Sequence, residues 1–193
     1  MPREEPVGLD HTLAIGAPAT KVLGAFFEPR ALGIWWRVAS AITNPTVLGA
    51  YALAWPRSET VDPLLGSLGG TFHGTVMDFK GGRSFFVADA YWIPPNGMPV
   101  GPMSLEVTCT PQSRFQAIMD AVKKRLPPPA AGSGDEEAAS TGQTVLRVVQ
   151  RGYEESERWH RYYEVLGADV PAALDRLKEY LERGQGVWDL RAW

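Results

Sequence analysis

The chain has 193 residues, 45% of them apolar, and a formal net charge of −3, which is enough material for one medium domain that buries roughly 70% of its unfolded surface. A single cysteine, Cys109, excludes an intrachain disulfide and a cysteine-based zinc site. Lysines and arginines are dispersed rather than striped, which argues against nucleic acid as the main ligand.

The opening "MPREEPVG" is charged and lacks the apolar core of a secretory signal, and no apolar run approaches the roughly 20 residues of a membrane helix. With its one thiol, the chain is therefore expected to be cytoplasmic and to have no membrane span. "HTLAIGAP" (11–18) alternates weakly and ends at Pro18, reading as a first strand. In "ATKVLGAFFEP" (19–29), Val22, Leu23, Phe26 and Phe27 recur at helical spacing before Pro29. "PRALGIWW" reads as a second short helix, with Pro29 suited to its first turn. Trp36 follows Leu32 at i+4, so Trp36 is expected to plug the interior and Trp35 to be the more exposed ring.

From 37 to 109 short β-rich segments lie near 37–43, 48–55, 71–80, 84–92 and 103–109, punctuated by "NP", "GG", "GG" and "PPNG". In the last of them Met103, Leu105, Val107 and Cys109 share one face, the pattern of a half-buried antiparallel strand. In the segment 84–92 the all-apolar set Phe86, Ala88, Ala90 and Trp92 is expected inward, with Asp89 outward. Residues 113–126 read as a helix with a Phe115, Ile118, Met119 and Val122 stripe, and 127–142 are too polar and Pro/Gly-rich to order themselves. Residues 112–142 are thus expected to be an insertion in a β-hairpin, after which "QTVLRVVQRG" resumes the sheet.

At about 100° per residue from Trp159, ten apolar positions through Leu181 fall in a wedge of roughly 120°. That predicts one long terminal helix through Gly167 and Pro171, kinked rather than broken. Trp188, Leu190 and Trp193 lie in a tail (184–193) that should pack somewhere. A strand, two helices, a run of strands and a long helix bury their apolar faces most simply if the sheet curls around the terminal helix. The expected fold is α+β, a helix-grip arrangement over the single domain 1–193.

Three motifs carry a resemblance. They are Ile15, Ala17, Pro18, Val22, Ala25 and Phe26; then Pro29, Leu32, Trp35 and Trp36; then Gly69, Gly70, Phe72 and Gly74. With Trp159, Tyr163 and "ALDRLKEYL" in the last helix, the chain resembles the START/Bet v 1-like (SRPBCC) helix-grip superfamily over roughly 11–110 and 143–183. The branch it looks most like is the one named for the activator of Hsp90 ATPase homologue 1. It departs from that pattern at Leu68, where proline is usual, at Gly167-Ala168, where Gly-Trp is usual, and in the long 112–142 insertion. The resemblance implies a cavity for an apolar or amphipathic molecule and no single activity. The second domain of the cochaperone behind the branch's name has no counterpart in this sequence.

Chemistry-bearing residues are sparse. His11, His73 and His160 have no metal-ligand spacing, so no metal and no cofactor are expected. His73 alternates with Thr71, Thr75 and Met77 and either faces the cavity or sits on the solvent face. Asp78, Asp89 and Glu106 are the acids available as general bases, and each reads as outward. Cys109 has no predicted basic neighbour and reads as a small buried hydrophobe. No catalytic set emerges. The expected function is therefore non-catalytic binding of a hydrophobic or aromatic small molecule, in a cavity lined by Trp36, Tyr51, Trp55, His73, Phe86, Trp92, Leu105, Trp159, Tyr163 and Leu166. The Tyr51 and Tyr163 hydroxyls are the polar groups expected to orient it. Two alternatives stand beside it: a cyclase- or hydrolase-like enzyme using a cavity His or acid, and a cochaperone-like interaction module, with a homodimer docked through Trp188 and Trp193 as a milder variant.

Overall fold

The structure is a computed structural model and describes residues 8–125, 127, 142–152 and 156–183. The expectations for the Pro/Gly-rich segment and for the Trp-containing tail fall almost wholly outside these residues. In chain order the elements are β1 (Gly8–Ile15), α1 (Ala19–Gly24), α2 (Pro29–Trp35), β2 (Ser40–Thr43), β3 (Ala50–Trp55), β4 (Val61–Asp62) and β5 (Gly66–Ser67). They continue with β6 (Gly70–Lys80), β7 (Ser84–Ile93), β8 (Val100–Pro111), α3 (Gln112–Lys123), β9 (Thr144–Arg151) and α4 (Glu157–Arg183).

Seven strands form one curved antiparallel sheet in the order β1-β9-β8-β7-β6-β3-β2, and β4 pairs with β5 in a small separate ribbon. Residues 112–143 lie between paired strands, because β8 and β9 form a hairpin closed by the pair Pro111 and Thr144. The inward face of β8 is the one its alternation predicts, with Met103, Leu105, Val107 and Cys109 all buried. α3 keeps only part of its apolar stripe covered, leaving Met119 and Val122 exposed.

α4 lies against the sheet through Trp159, Tyr162, Tyr163, Val170, Ala173, Leu174, Leu177 and Tyr180. The helix runs through Pro171 unbroken. A mid-helix proline costs about 3 kcal/mol, whereas each fully buried large apolar side chain contributes about 1.5–3 kcal/mol, so the face outweighs the defect. Backbone ends are tied in as well: Glu182 of α4 accepts the Gly16 amide at 2.6 Å, and Thr144 Oγ1 donates to the Ala17 carbonyl at 2.7 Å.

One bulge overturns the face assignment made for β7. Val87 pairs with Leu105 and Ala90 with Met103, so β7 carries one more residue than β8 in that interval. The added residue sits at Ala88 and Asp89, where Asp89 takes φ 48°. One inserted residue exchanges the two faces of a strand. Phe85 and Val87 are therefore buried before the bulge, Ala90 and Trp92 after it, and Phe86 is turned to the outer face. A second bulge near Met77 in β6 does the same between Val76 and Phe79.

Candidate functional site

An open cleft of about 630 Å3 lies between the inner face of the sheet and α4. Its floor comes from the strands through Phe72, Trp92, Leu105, Val148 and Gln150. One wall is α4 through Tyr162, Val165, Leu166, Val170 and Ala173, and the other is the end of α2 and of β3 through Trp36 and Trp55.

The wall at α2 is built on indole hydrogen bonds to loop carbonyls. Trp35 Nε1 donates to Ala25 O at 3.0 Å, Trp55 Nε1 to Trp36 O at 2.9 Å, and Trp92 Nε1 to Gly69 O at 2.8 Å. These three indoles spend their polar atoms on the scaffold and present carbon faces. Gly69 and Gly70 sit at φ 97° and 86°, and a Cβ on either would collide with the Pro56 and Ile93 carbonyls respectively, so the Gly-Gly pair is what lets the chain enter β6 beside Trp92.

The two adjacent tryptophans have the reverse of the expected roles. Trp35 is fully buried, edge-on to Phe26 at 5.1 Å, while Trp36 is half-buried and lines the cleft. The helical stripe of α2 is Ala31, Leu32 and Trp35, an i, i+1, i+4 set; Trp36 is already the C-cap, at φ −105°, and has left the helical phase. The rings stack at 4.8 Å, so Trp36 covers its buried neighbour with one face.

Of the residues expected to line the cavity, Trp36, Trp55, Trp92, Leu105 and Leu166 do so. Tyr51, His73, Phe86, Trp159 and Tyr163 do not. Tyr51 is fully buried in the aromatic cluster at the far end, 5.5 Å from Phe27 and 5.4 Å from Phe85. Tyr163 is buried against Trp159 and Tyr162. Neither hydroxyl has a hydrogen-bond partner among the described residues, and burial raises the pKa of both well above the ordinary tyrosine value. His73 is exposed, stacked 6.0 Å from Tyr91 on the outer face, because the inward positions of β6 are Phe72 and Val76. Phe86 is outward through the Asp89 bulge. Trp159 packs deep beside Gly152, beneath the lining.

The polar group inside the cleft is one the sequence reading missed. Gln150 is buried on β9, and its Nε2 lies 3.0 Å from Tyr162 Oη and 2.6 Å from Met103 Sδ. The clue was Gln150 standing at i+2 from Val148 on an apolar strand face. Burial, opposed by the Gln150 hydrogen bond, raises the Tyr162 pKa above its usual value, so the hydroxyl stays protonated. The mouth carries Arg37, Arg57 and Arg176, with Asp169 as the carboxylate of the lining.

The acids and histidines weighed as catalysts lie elsewhere. Asp78 pairs with Lys80 at 2.9 Å, and Asp89, Glu106, His73 and His160 are exposed. Cys109 is buried and its thiol is pushed up to about 12 by burial. Among the described residues no group of three His, Cys, Asp or Glu could hold a metal ion, and no helix is long and apolar enough to cross a membrane.

No protein-family model matches the chain, and neither does any curated protein sequence. Solved structures do match its fold. Protein MLL2253 from Mesorhizobium loti is 17% identical with a TM-score of 0.56, over 91% of this chain and 98% of that one. Protein Ms6760 from Mycobacterium smegmatis is 12% identical with a TM-score of 0.56, over 92% of each chain. A protein of unknown function from Staphylococcus aureus, SA2116, is 8% identical with a TM-score of 0.54, over 91% of this chain and 94% of that one. At such identities the likeness establishes the fold alone: α+β, with a curved antiparallel sheet and a long C-terminal helix, as in a helix-grip protein.

Proposed function

We propose that this is a binding protein that holds a hydrophobic or aromatic small molecule in the cleft between sheet and α4, without catalysing its conversion. The observation that carries the reading is the cleft itself. Its volume of about 630 Å3 is well above the low end of small-ligand sites, roughly 300 Å3, and its walls are aromatic and aliphatic. Gln150 and Tyr162 supply the few polar atoms by which an apolar guest is oriented.

Membership of the START/Bet v 1-like superfamily, in the branch resembling the activator of Hsp90 ATPase homologue 1, is part of the same proposal. In its support, the motif residues have structural jobs here: Pro18 precedes α1, Pro29 opens α2, and Gly69-Gly70 lets the chain reach Trp92. A cytoplasmic setting fits a lone buried cysteine.

Native mass spectrometry of freshly purified protein tests the binding reading. The expected spectrum contains a species heavier than the bare chain that loses a small molecule on denaturation. A bare chain that also fails to take up an uncharged apolar fluorophore would sink it. The same spectrum reads the assembly state, and a doubled mass would support the homodimer.

A further inference from the structure

The floor of the cleft is apolar except at Gln150, and the chemistry of that exception is specific. Antiparallel pairing sets Gln150 of β9 between Leu9 of β1 and Leu105 of β8, with Val87 of β7 next in the row. All three neighbours are buried, and Leu9 and Leu105 line the cleft with it. Gln150 is only 5% exposed, so its amide sits where an unpaired polar atom is costly.

The polar hydrogens around it are all spent. Gln150 Nε2 lies 3.0 Å from Tyr162 Oη and 2.6 Å from Met103 Sδ, and Tyr162 Oη lies 3.4 Å from the same sulfur. A thioether accepts hydrogen bonds and donates none, so the amide nitrogen is the atom that must face it. The two amide hydrogens go to Oη and Sδ, and the phenol hydrogen goes to Sδ. Trp92, whose ring lies 5.4 Å from that of Tyr162, spends its indole hydrogen on the Gly69 carbonyl. What remains is Gln150 Oε1, which accepts no hydrogen bond among the described residues. The sealed side-chain atoms without a partner there are the Tyr51 and Tyr163 hydroxyls, so Oε1 opens on the cleft that Gln150 lines. The floor thus offers an acceptor and no free donor. A guest settling there strips water from Oε1, and only a group that restores the lost hydrogen bond avoids the loss. An anionic head would meet the oxygen lone pairs, and a cationic one would find no counter-charge among Phe72, Trp92, Leu105, Val148 and Gln150.

We infer that the occupant of the cleft is an uncharged apolar molecule bearing a hydroxyl or N–H group, which it donates to Gln150 Oε1 while its body fills the apolar space around that residue. This rests on the binding reading above and names the ligand class that reading leaves open.

A matched set of pyrene probes separates the two ideas. Hydroxypyrene donates a hydrogen bond, methoxypyrene only accepts one, and pyrene does neither; all are neutral at slightly acidic pH and report binding by their own fluorescence. Titrated into the full chain, hydroxypyrene should bind at least about fivefold more tightly than either companion, the low end of what an unpaired buried acceptor costs. Gln150→Met keeps the length of the side chain and removes the amide. It should bring the three Kd values within about twofold of one another while leaving that of pyrene within about twofold of wild type. Gln150→Leu should do the same, and it replaces the methionine variant should that one fold poorly. Equal binding of the three probes by the wild-type chain, a preference for methoxypyrene, or a hydroxyl advantage that survives in the Gln150 variants overturns the inference and leaves the binding reading intact. Failure of all three probes to bind removes the binding reading itself.

Discussion

Trp35 and Trp36 differ by one position and by almost everything physical. Trp35 is sealed between Phe26 and the stacked Trp36 ring, and its indole nitrogen is hydrogen-bonded to the Ala25 carbonyl. Trp35→Ala is therefore expected to cost about 3–5 kcal/mol in urea denaturation, as a large buried aromatic does. Trp36→Ala should cost much less and act mainly on ligand uptake; equal losses at both positions would contradict the assigned roles. The sequence separated the pair into one interior and one exposed ring but assigned them the wrong way round, because a helix of seven residues followed by a C-cap leaves the last ring outside the periodic pattern. Tyr51 makes the opposite point. An inward tyrosine in a β-strand reads naturally as a polar handle, yet its hydroxyl is buried without a partner among the described residues. A buried unsatisfied hydroxyl costs about 1–3 kcal/mol, so Tyr51→Phe should be neutral or raise stability by up to that amount without altering probe binding. A destabilised Phe variant would mean that the hydroxyl has a partner, such as ordered water.

Elements were legible where their side-chain period was unbroken and illegible where it slipped. α4 keeps one period from end to end and β8 keeps one from Met103 to Cys109, and these buried faces match the sequence pattern. β7 does not, because Asp89 adds a residue, and no composition rule announces which side of a bulge a phenylalanine will face. The bulge rests on a left-handed aspartate, so Asp89→Gly should be tolerated, while Asp89→Val should cost about 1–2 kcal/mol relative to the glycine variant. Equal stability of the two would show that the strand can relax its register. The β4–β5 ribbon is held differently. Asp62 accepts the Leu64 and Leu65 amides and takes the Arg161 guanidinium of α4 at 2.7 Å, an arrangement that pins the loop between β3 and β6 to the terminal helix. The Arg161 hydrogen bond holds the Asp62 carboxyl below its ordinary value of 3.8. A depressed carboxylate pKa adds stability above the unfolded value and loses it as pH falls through the folded value. The stability gap between wild type and Asp62→Asn should therefore be largest near neutrality and close as acid titration passes below 3.8. A gap that stays constant with pH would assign the loss to the turn rather than to the charge.

At the scale of the molecule, element order alone implied the architecture. One strand, two short helices, a meander and a helix with a single broad apolar face have few ways to bury that face, and curling the sheet around the helix is the simplest. The same order implied space between the layers, and five of the expected lining residues fall on it. What could not be read was the mouth. Arg176 looks like an ordinary surface charge until it reaches the Trp35 carbonyl. The decisive whole-molecule question is whether the cleft is free space or a gap that side chains close in solution. Leu166 lines it from α4 while only partly buried, so Leu166→Trp places a larger ring in the opening without displacing a sealed core residue. If the space is free, the added ring fills part of it. The thermal midpoint should then hold or rise by about 2–4 °C, the equivalent of about 1 kcal/mol in a chain of this size, while affinity for the apolar probes falls at least about tenfold. If the space closes in solution, the ring is overpacked instead, which costs about 1–3 kcal/mol, and the midpoint drops. A lowered midpoint with unchanged probe binding would move the binding site away from this cleft.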